Sequence, residues 1–158
     1  MQTSRAPIDL ISPYDTARAA KALGAILRAG DTILLSGPVG AGKTHFARHL
    51  IQSLLIAHED VPSPTFTLVQ TYETGNGPLW HADLYRVGSV HEIEELGLTD
   101  AFKEAICLIE WPDRLGPLTP EGALSLLLEA GKAENARLLT ASWNDPLWSD
   151  RLQGWGGV

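Results

Sequence analysis

Residues 37 to 44 read Gly-Pro-Val-Gly-Ala-Gly-Lys-Thr. They follow an apolar, strand-like run, Asp31-Thr32-Ile33-Leu34-Leu35-Ser36, and precede a helix-like run from Phe46 to Leu55. No other segment constrains the fold as much, because a glycine-rich loop between strand and helix belongs to an α/β frame. The spacing Gly37-x4-Gly42-Lys43-Thr44 is that of a P-loop. Glycines let the backbone turn tightly around phosphates at positive φ. The loop and the first helical turn aim unpaired N–H groups at the anion. Lys43 suits the β and γ phosphates, and the Thr44 hydroxyl suits Mg2+, which prefers oxygen ligands. All eight residues (Gly37, Pro38, Val39, Gly40, Ala41, Gly42, Lys43 and Thr44) are therefore expected to contact nucleotide. The plainer alternative is a glycine turn that merely caps a helix, and the flanking strand and helix speak against it.

The chain has 158 residues, 44% of them hydrophobic, which fits one compact core. No apolar run reaches 18 residues, and the segment Met1 to Pro7 has nothing of a signal peptide. A cytoplasmic protein without membrane contact is the expectation. The formal charge is −7. Such a chain lacks the basic footprint of a protein that grips nucleic acid alone, so protein partners fit better. Cys107, the single cysteine, sits among Ile106, Leu108 and Ile109 and reads as a buried strand residue, since no second cysteine exists for a disulfide or cysteine-based metal site.

Along the chain, Pro7 to Ile11 reads as a short strand, and Ser12-Pro13 as a helix start leading to about Leu27. Thr32 to Ser36 is the strand that feeds the loop, and a helix runs from Lys43 to about Ile56. Pro62 and Pro64 forbid regular helix between Val61 and Phe66. Thr67 to Thr74 and Leu79 to Tyr85 flank the turn Gly75-Asn76-Gly77-Pro78 and predict a hairpin. Ser89-Val90-His91-Glu92 is a capping box that starts a helix through Glu95, and Thr99 to Glu104 predicts another. Ile106 to Ile109 is a buried strand. Gly122 to Glu129 and Ala136 to Trp143 close the sheet as a pair. The expected fold is a single α/β domain over residues 1 to 143, with a central mixed parallel and antiparallel sheet flanked by helices. Residues 144 to 158 read as a loosely held tail.

Hydrolysis needs more than a phosphate cradle; it also needs a hold on Mg2+ and a placed water. Glu110 ends the Ile106 to Ile109 strand, at the carboxyl edge where ligands bind in open α/β sheets. This is a Walker B arrangement with Glu in place of Asp, or else an ordinary polar strand end. In Leu79 to Arg86, period-two alternation puts His81, Asp83 and Tyr85 on the face opposite Trp80, Ala82 and Leu84. Asp83 on that face orients a water or a metal-bound water, or is a solvated strand residue. His81 reads more readily as packed or hydrogen-bonded than as a catalyst. Arg86 either counters phosphate charge or pairs with Asp83 or Glu92. Thr65, in Ser63-Pro64-Thr65-Phe66, sits where a switch segment senses the γ-phosphate, or in a rigid proline turn. Trp111 either walls off the site or meets a partner.

Together, Gly-Pro-Val-Gly-Ala-Gly-Lys-Thr (37 to 44), Ser-Pro-Thr-Phe (63 to 66), His-Ala-Asp-Leu-Tyr-Arg (81 to 86) and Ile-Glu-Trp-Pro (109 to 112) resemble the TsaE family, also called YjeE. These are small bacterial ATPases needed for threonylcarbamoyladenosine formation in tRNA. Glu94-Glu95-Leu96-Gly97-Leu98 is similar to the family's acidic helix leading to a glycine. The resemblance covers about residues 10 to 143.

What it implies is a P-loop ATPase that uses ATP and Mg2+ and joins the TsaB and TsaD proteins, with tRNA contacted indirectly through that complex. ATP use there resets the complex rather than forming the carbamoyl bond. Lys43 and Thr44 would take the phosphate and Mg2+ roles, Glu110 a second Mg2+ contact, and Asp83 a catalytic or switch role. Thr65 would lie in the switch-like loop, Trp111 in the site wall, and Arg137 near the nucleotide. One departure is visible: the family's loop usually has an acidic residue and then leucine where this chain has Pro38-Val39.

Turnover by the chain alone is expected to be slow, since no arginine finger is evident. A small-molecule kinase would share the P-loop, but no Arg-rich lid cluster occurs. A GTPase would need an Asn-Lys-x-Asp segment, which is missing from the sequence. A nucleotide-gated scaffold that binds ATP without cleaving it is the non-enzymatic alternative.

Overall fold

A run buried on both faces, as Thr32 to Leu35 is, needs a sheet covered by helices on either side, and that is the arrangement found. The computed structural model describes residues 2–155. In chain order the elements are β1 (Thr3–Ser4), β2 (Ile8–Leu10), α1 (Pro13–Gly24), β3 (Thr32–Ser36), α2 (Lys43–Leu54), β4 (Val69–Thr74), β5 (Gly77–Asp83), α3 (Val90–Glu95), α4 (Leu98–Glu104), β6 (Ile106–Glu110), β7 (Leu124–Ala130), β8 (Arg137–Trp143) and α5 (Leu147–Arg151). An irregular 3-10 segment, Pro112–Leu118, follows β6.

Among the described residues the strands form one sheet in the order β1-β8-β7-β3-β6-β5-β4, with β2 also on β8. The central strands β7, β3, β6 and β5 run parallel. Antiparallel pairing adds β8 to β7 and β4 to β5, so the sheet is mixed, as expected. Alternation along β3 sorts the two cores. Ile33 and Leu35 pack with Leu23 of α1 and Leu50 and Ile51 of α2, whereas Leu34 faces the second core with Ile93, Leu98, Cys107 and Ile109. Because β6 and β7 lie on opposite sides of β3, the loop after β3 emerges at a topological switch point, where α/β sheets bind ligands.

Ser12 caps α1 as expected, its Oγ accepting from Asp15 N at 3.2 Å. The helix ends at Gly24, not near Leu27, because Ile26 N and Leu27 N donate to the carbonyls three residues back and tighten the last turn. Asn76 of the β4–β5 hairpin secures that end, its Nδ2 donating to the Leu27 carbonyl at 2.9 Å. The hairpin loop is Gly75-Asn76, since Thr74 already pairs with Gly77. Pro78 fits in the strand because pairing of β5 with β6 begins only at Leu79.

The loosely held tail is a correction. Residues 144 to 155 dock on the α1–α2 side of the sheet. Trp148 and Trp155 are 2% and 5% exposed, and each indole N–H has a carbonyl acceptor, Gly122 and Ala19 respectively. Arg151 stacks over Trp148, 4.1 Å from the ring centroid, and bonds Asp31 and the Ile26 carbonyl. Glycine, serine and aspartate suggested a solvated segment, but the buried area of two indoles outweighs them. Residues 156–158 of the expected tail lie outside the described residues.

Candidate functional site

The chain must leave the sheet edge abruptly after Ser36. Gly37 achieves this at φ 141°, where an added Cβ would lie 2.2 Å from the Leu128 carbonyl oxygen, so only glycine fits. Gly40 and Gly42 also hold positive φ, 81° and 99°. Gly42 is the N-cap of α2 and caps it with no side-chain hydrogen bond, which leaves the first N–H groups of the helix for an anion. Pro38 and Val39 form the exposed tip, and the Pro38 carbonyl accepts from Ala41 N at 3.1 Å.

Lys43 is buried. Its Nζ donates to the carbonyls of Gly37 at 2.5 Å and Pro38 at 3.0 Å and lies 4.2 Å from the centroid of the Trp111 ring. Burial lowers its pKa, against the opposing pull of the Glu110 and Asp83 carboxylates. Trp111 reaches this position from a left-handed backbone conformation, φ 58°, which is uncommon for a bulky residue and marks a locally over-determined site. Tyr85 packs beside it, ring centroids 4.8 Å apart. Trp111 thus forms a wall of the site.

Both oxygens of Glu110 are engaged. Thr44 Oγ1 donates to Oε1 at 2.8 Å, and His81 Nε2 lies 2.6 Å from Oε2. In the tautomer with its proton on Nε2, His81 donates and the carboxylate accepts. The pairing follows from strand register, with Leu35 of β3 and Asp83 of β5 flanking Glu110 on β6. Asp83 Oδ2 accepts from Thr65 Oγ1 at 3.2 Å, and Oδ1 accepts from Tyr85 N at 3.0 Å. The Thr65 bond to Asp83 ties the Ser63 to Phe66 segment to the site, and within that segment the Thr65 and Ser63 hydroxyls are 2.7 Å apart.

The solvated-face alternative for β5 is overturned: His81 and Asp83 are 0% and 5% exposed, on the same face as Leu79, which belongs to the core under α1 and α2. Arg86 pairs with neither Asp83 nor Glu92; its guanidinium lies over the Phe66 ring, 5.4 Å from the centroid. Arg137 comes to the loop from β8, its Nη2 donating to the Gly40 carbonyl at 3.3 Å. Sequence reasoning missed the link between His81 and Glu110. The alternation that put His81 beside Asp83 was the available signal for it.

Lys43, Thr44, Thr65, Asp83, Glu110 and Trp111 line one cleft of about 440 Å3, together with Val39 and Gly40 of the loop. The donor set fits Mg2+, because a hydroxyl and a carboxylate supply hard oxygens and the ion takes its remaining ligands from phosphates and water. Cys107, by contrast, is wholly buried in β6, and burial pushes its thiol up to about 12. Among the described residues no helix is long and apolar enough to cross a membrane.

Loop, sheet order and carboxylates at the strand ends define a P-loop NTPase-like α/β domain. The crystal structure of Bacillus subtilis YdiB shares this fold, with a TM-score of 0.77 at 24% identity over 99% of this chain and 97% of that one. The family described as "Threonylcarbamoyl adenosine biosynthesis protein TsaE" matches residues 10–139, and the chain belongs to that TsaE family. It is 39% identical over 130 residues to the tRNA threonylcarbamoyladenosine biosynthesis protein TsaE of Rickettsia felis, which spans 82% of this chain and 75% of that one. Identity to the Bacillus subtilis protein of the same name is 36% over 136 residues, or 85% and 84% of the two chains. The family resemblance read from the four motifs is borne out.

Proposed function

We propose that the chain binds ATP with Mg2+ in this cleft and hydrolyses it in the service of threonylcarbamoyladenosine formation on tRNA, acting with TsaB and TsaD proteins. The observation that carries the reading is the convergence on one cleft of a P-loop lysine, the Thr44 to Glu110 hydrogen bond, and Asp83 held by Thr65. The TsaE names of the relatives supply the pathway.

Backbone N–H groups of residues 40 to 44 and the Lys43 ammonium would hold the β and γ phosphates. For Lys43 this means exchanging two neutral carbonyl partners for anionic ones, a stronger hydrogen bond. Thr44 and Glu110 would hold Mg2+, which when bound supplies a Lewis acid at the phosphoryl oxygens. His81 fixes the rotamer of Glu110. Asp83 is the acceptor placed to orient a water, and its bond to Thr65 ties that role to the Ser63 to Phe66 segment, which can register the γ-phosphate. Trp111 covers Lys43 and limits water around it. Arg137 steadies the loop from the far side.

Among the described residues Lys43 is the one lysine or arginine that lines the cleft. Turnover is accordingly slow for the chain alone and faster in the partner complex. The charge of −7 fits tRNA contact through the partners. The test compares equilibrium ATP binding with Mg2+-dependent phosphate release. Lys43→Ala is expected to lose binding, whereas Glu110→Ala and Asp83→Ala keep much of the binding and lose turnover. Parent-rate turnover by all three would overturn the assignment, and a phosphorylated small molecule in place of free phosphate would make the chain a kinase.

A further inference from the structure

Arg48 stands one helical turn beyond Thr44 on α2. It is half-buried, and among the described residues no carboxylate lies within ion-pair distance of it. A guanidinium drawn out of water is more often paired with an anion. Arg48 instead directs its Nε–H to a neutral acceptor, the Val61 carbonyl, at 2.9 Å. Among the described residues this is the one hydrogen bond made by the stretch 56 to 62.

That bond fixes the entry to the segment that meets Asp83. Val61 is buried in the core under α1 and α2, and Pro62-Ser63-Pro64-Thr65 follows it. Proline holds φ at about −65°. Two prolines therefore leave few free torsions between Val61 and Thr65, and the placement of one sets the other. The exit of the segment is held by backbone alone: Leu68, at φ 68°, donates its N–H to the Pro64 carbonyl at 2.7 Å, and its own carbonyl accepts from Asp83 N at 2.9 Å. The entry depends on a side chain of the helix that begins at the phosphate loop.

We propose that Arg48 is a positioning residue for ATP hydrolysis: through Val61 it ties the Ser63 to Phe66 segment to α2, so that the Thr65 hydroxyl meets Asp83 when nucleotide sits at the start of the same helix. The inference rests on the hydrolytic reading above and extends it to a residue that does not line the cleft. Arg48 acts through Thr65, whose bond to Asp83 at 3.2 Å aligns the carboxylate. The donor at Nε carries this role, and the charge does not.

The experiment measures equilibrium ATP binding and Mg2+-dependent phosphate release by the full chain, for the parent, Arg48→Met, Arg48→Gln, Thr65→Val, and Arg48→Met combined with Thr65→Val. Methionine and glutamine both keep an apolar stem and lose the charge, but glutamine alone returns an N–H at the reach of Nε. Arg48→Met is expected to lower kcat roughly tenfold, with ATP affinity within about twofold of the parent, the pattern of a misplaced catalytic group. Arg48→Gln recovers most of that loss. On top of Thr65→Val, Arg48→Met costs less than about twofold more, because the contact it acts through is already gone. Parent kcat in Arg48→Met would overturn the assignment. So would a loss that Arg48→Gln does not recover, which makes the charge the active feature, or a full further loss on top of Thr65→Val, which routes the effect elsewhere. Loss of ATP binding in Arg48→Met would also overturn it, since that means damage to α2 as a whole. A parent chain that binds ATP and releases no phosphate would instead sink the hydrolytic reading itself, and this assignment with it.

Discussion

Thr44 Oγ1 donates a hydrogen bond to Glu110 Oε1 at 2.8 Å, joining the start of α2 to the end of β6 across 66 positions of sequence. The bond exists because β3 and β6 are register partners, with Leu35 opposite Glu110, so the helix that leaves β3 through the loop begins beside the carboxylate. With His81 on the other oxygen, Glu110 is aligned from both sides before any ligand arrives. Pre-alignment of this kind lowers the ordering cost of binding.

His81 is a positioning residue in this account. Replacing it with alanine should weaken Mg2+ in the ATP complex by roughly 10- to 100-fold, the usual effect of removing the partner of a metal ligand. ATP binding in EDTA should stay unchanged. A Mg2+ titration of phosphate release, paired with ATP binding without metal, checks both parts, and loss of metal-free binding would point to a merely structural histidine.

Gly37→Ala tests the loop's backbone. The new Cβ would meet the Leu128 carbonyl oxygen at 2.2 Å, and backbone cannot swing aside as a side chain does. About 1–3 kcal/mol of strain is expected from the positive φ alone, with ATP binding lost as the loop shifts. Thermal unfolding and calorimetry read the two effects, and Gly40→Ala, where nothing lies within 4 Å of the added Cβ, should be milder.

Docking of the last helix predicts that Trp148→Ala destabilises the fold by about 3–5 kcal/mol, as large-to-small changes at buried tryptophans do. Denaturant unfolding measures it. A change within experimental error would restore the picture of a loose tail.

The Cys107 thiol is pushed up to about 12 from 9.0 by burial. At pH 8 a thiol reagent should leave the native protein untouched and label one equivalent after denaturation. Because the folded value is the higher, the stabilisation it reflects is present below about pH 9 and declines as the pH rises from there toward 12.

Much of this was legible in the residues. The loop motif, the apolar run ending in Glu110, and the alternation carrying Asp83 located the frame and most of the cleft, because each depends on local spacing. What the sequence left unresolved depends on distant partners. His81 reads as packed or hydrogen-bonded, and its contact with Glu110 bears that out, but the partner itself lies on the neighbouring strand, where local spacing does not show it. Arg86 reads as a counter to phosphate charge or an ion-pair former with Asp83 or Glu92, yet its guanidinium lies over Phe66. The polar composition around Trp148 and Trp155 masked a docked segment, since burial against α1 and Gly122 is a tertiary event that no local pattern announces.

The most direct test is a reconstituted tRNA-modification assay with TsaB, TsaD and their substrates over several turnovers, with the chain omitted, present, or carrying Glu110→Ala. The account predicts that sustained threonylcarbamoyladenosine formation needs the parent chain and ATP, and stalls with Glu110→Ala although that variant still binds nucleotide. Equal product in all three arms, or full activity with a non-hydrolysable ATP analogue, would contradict it.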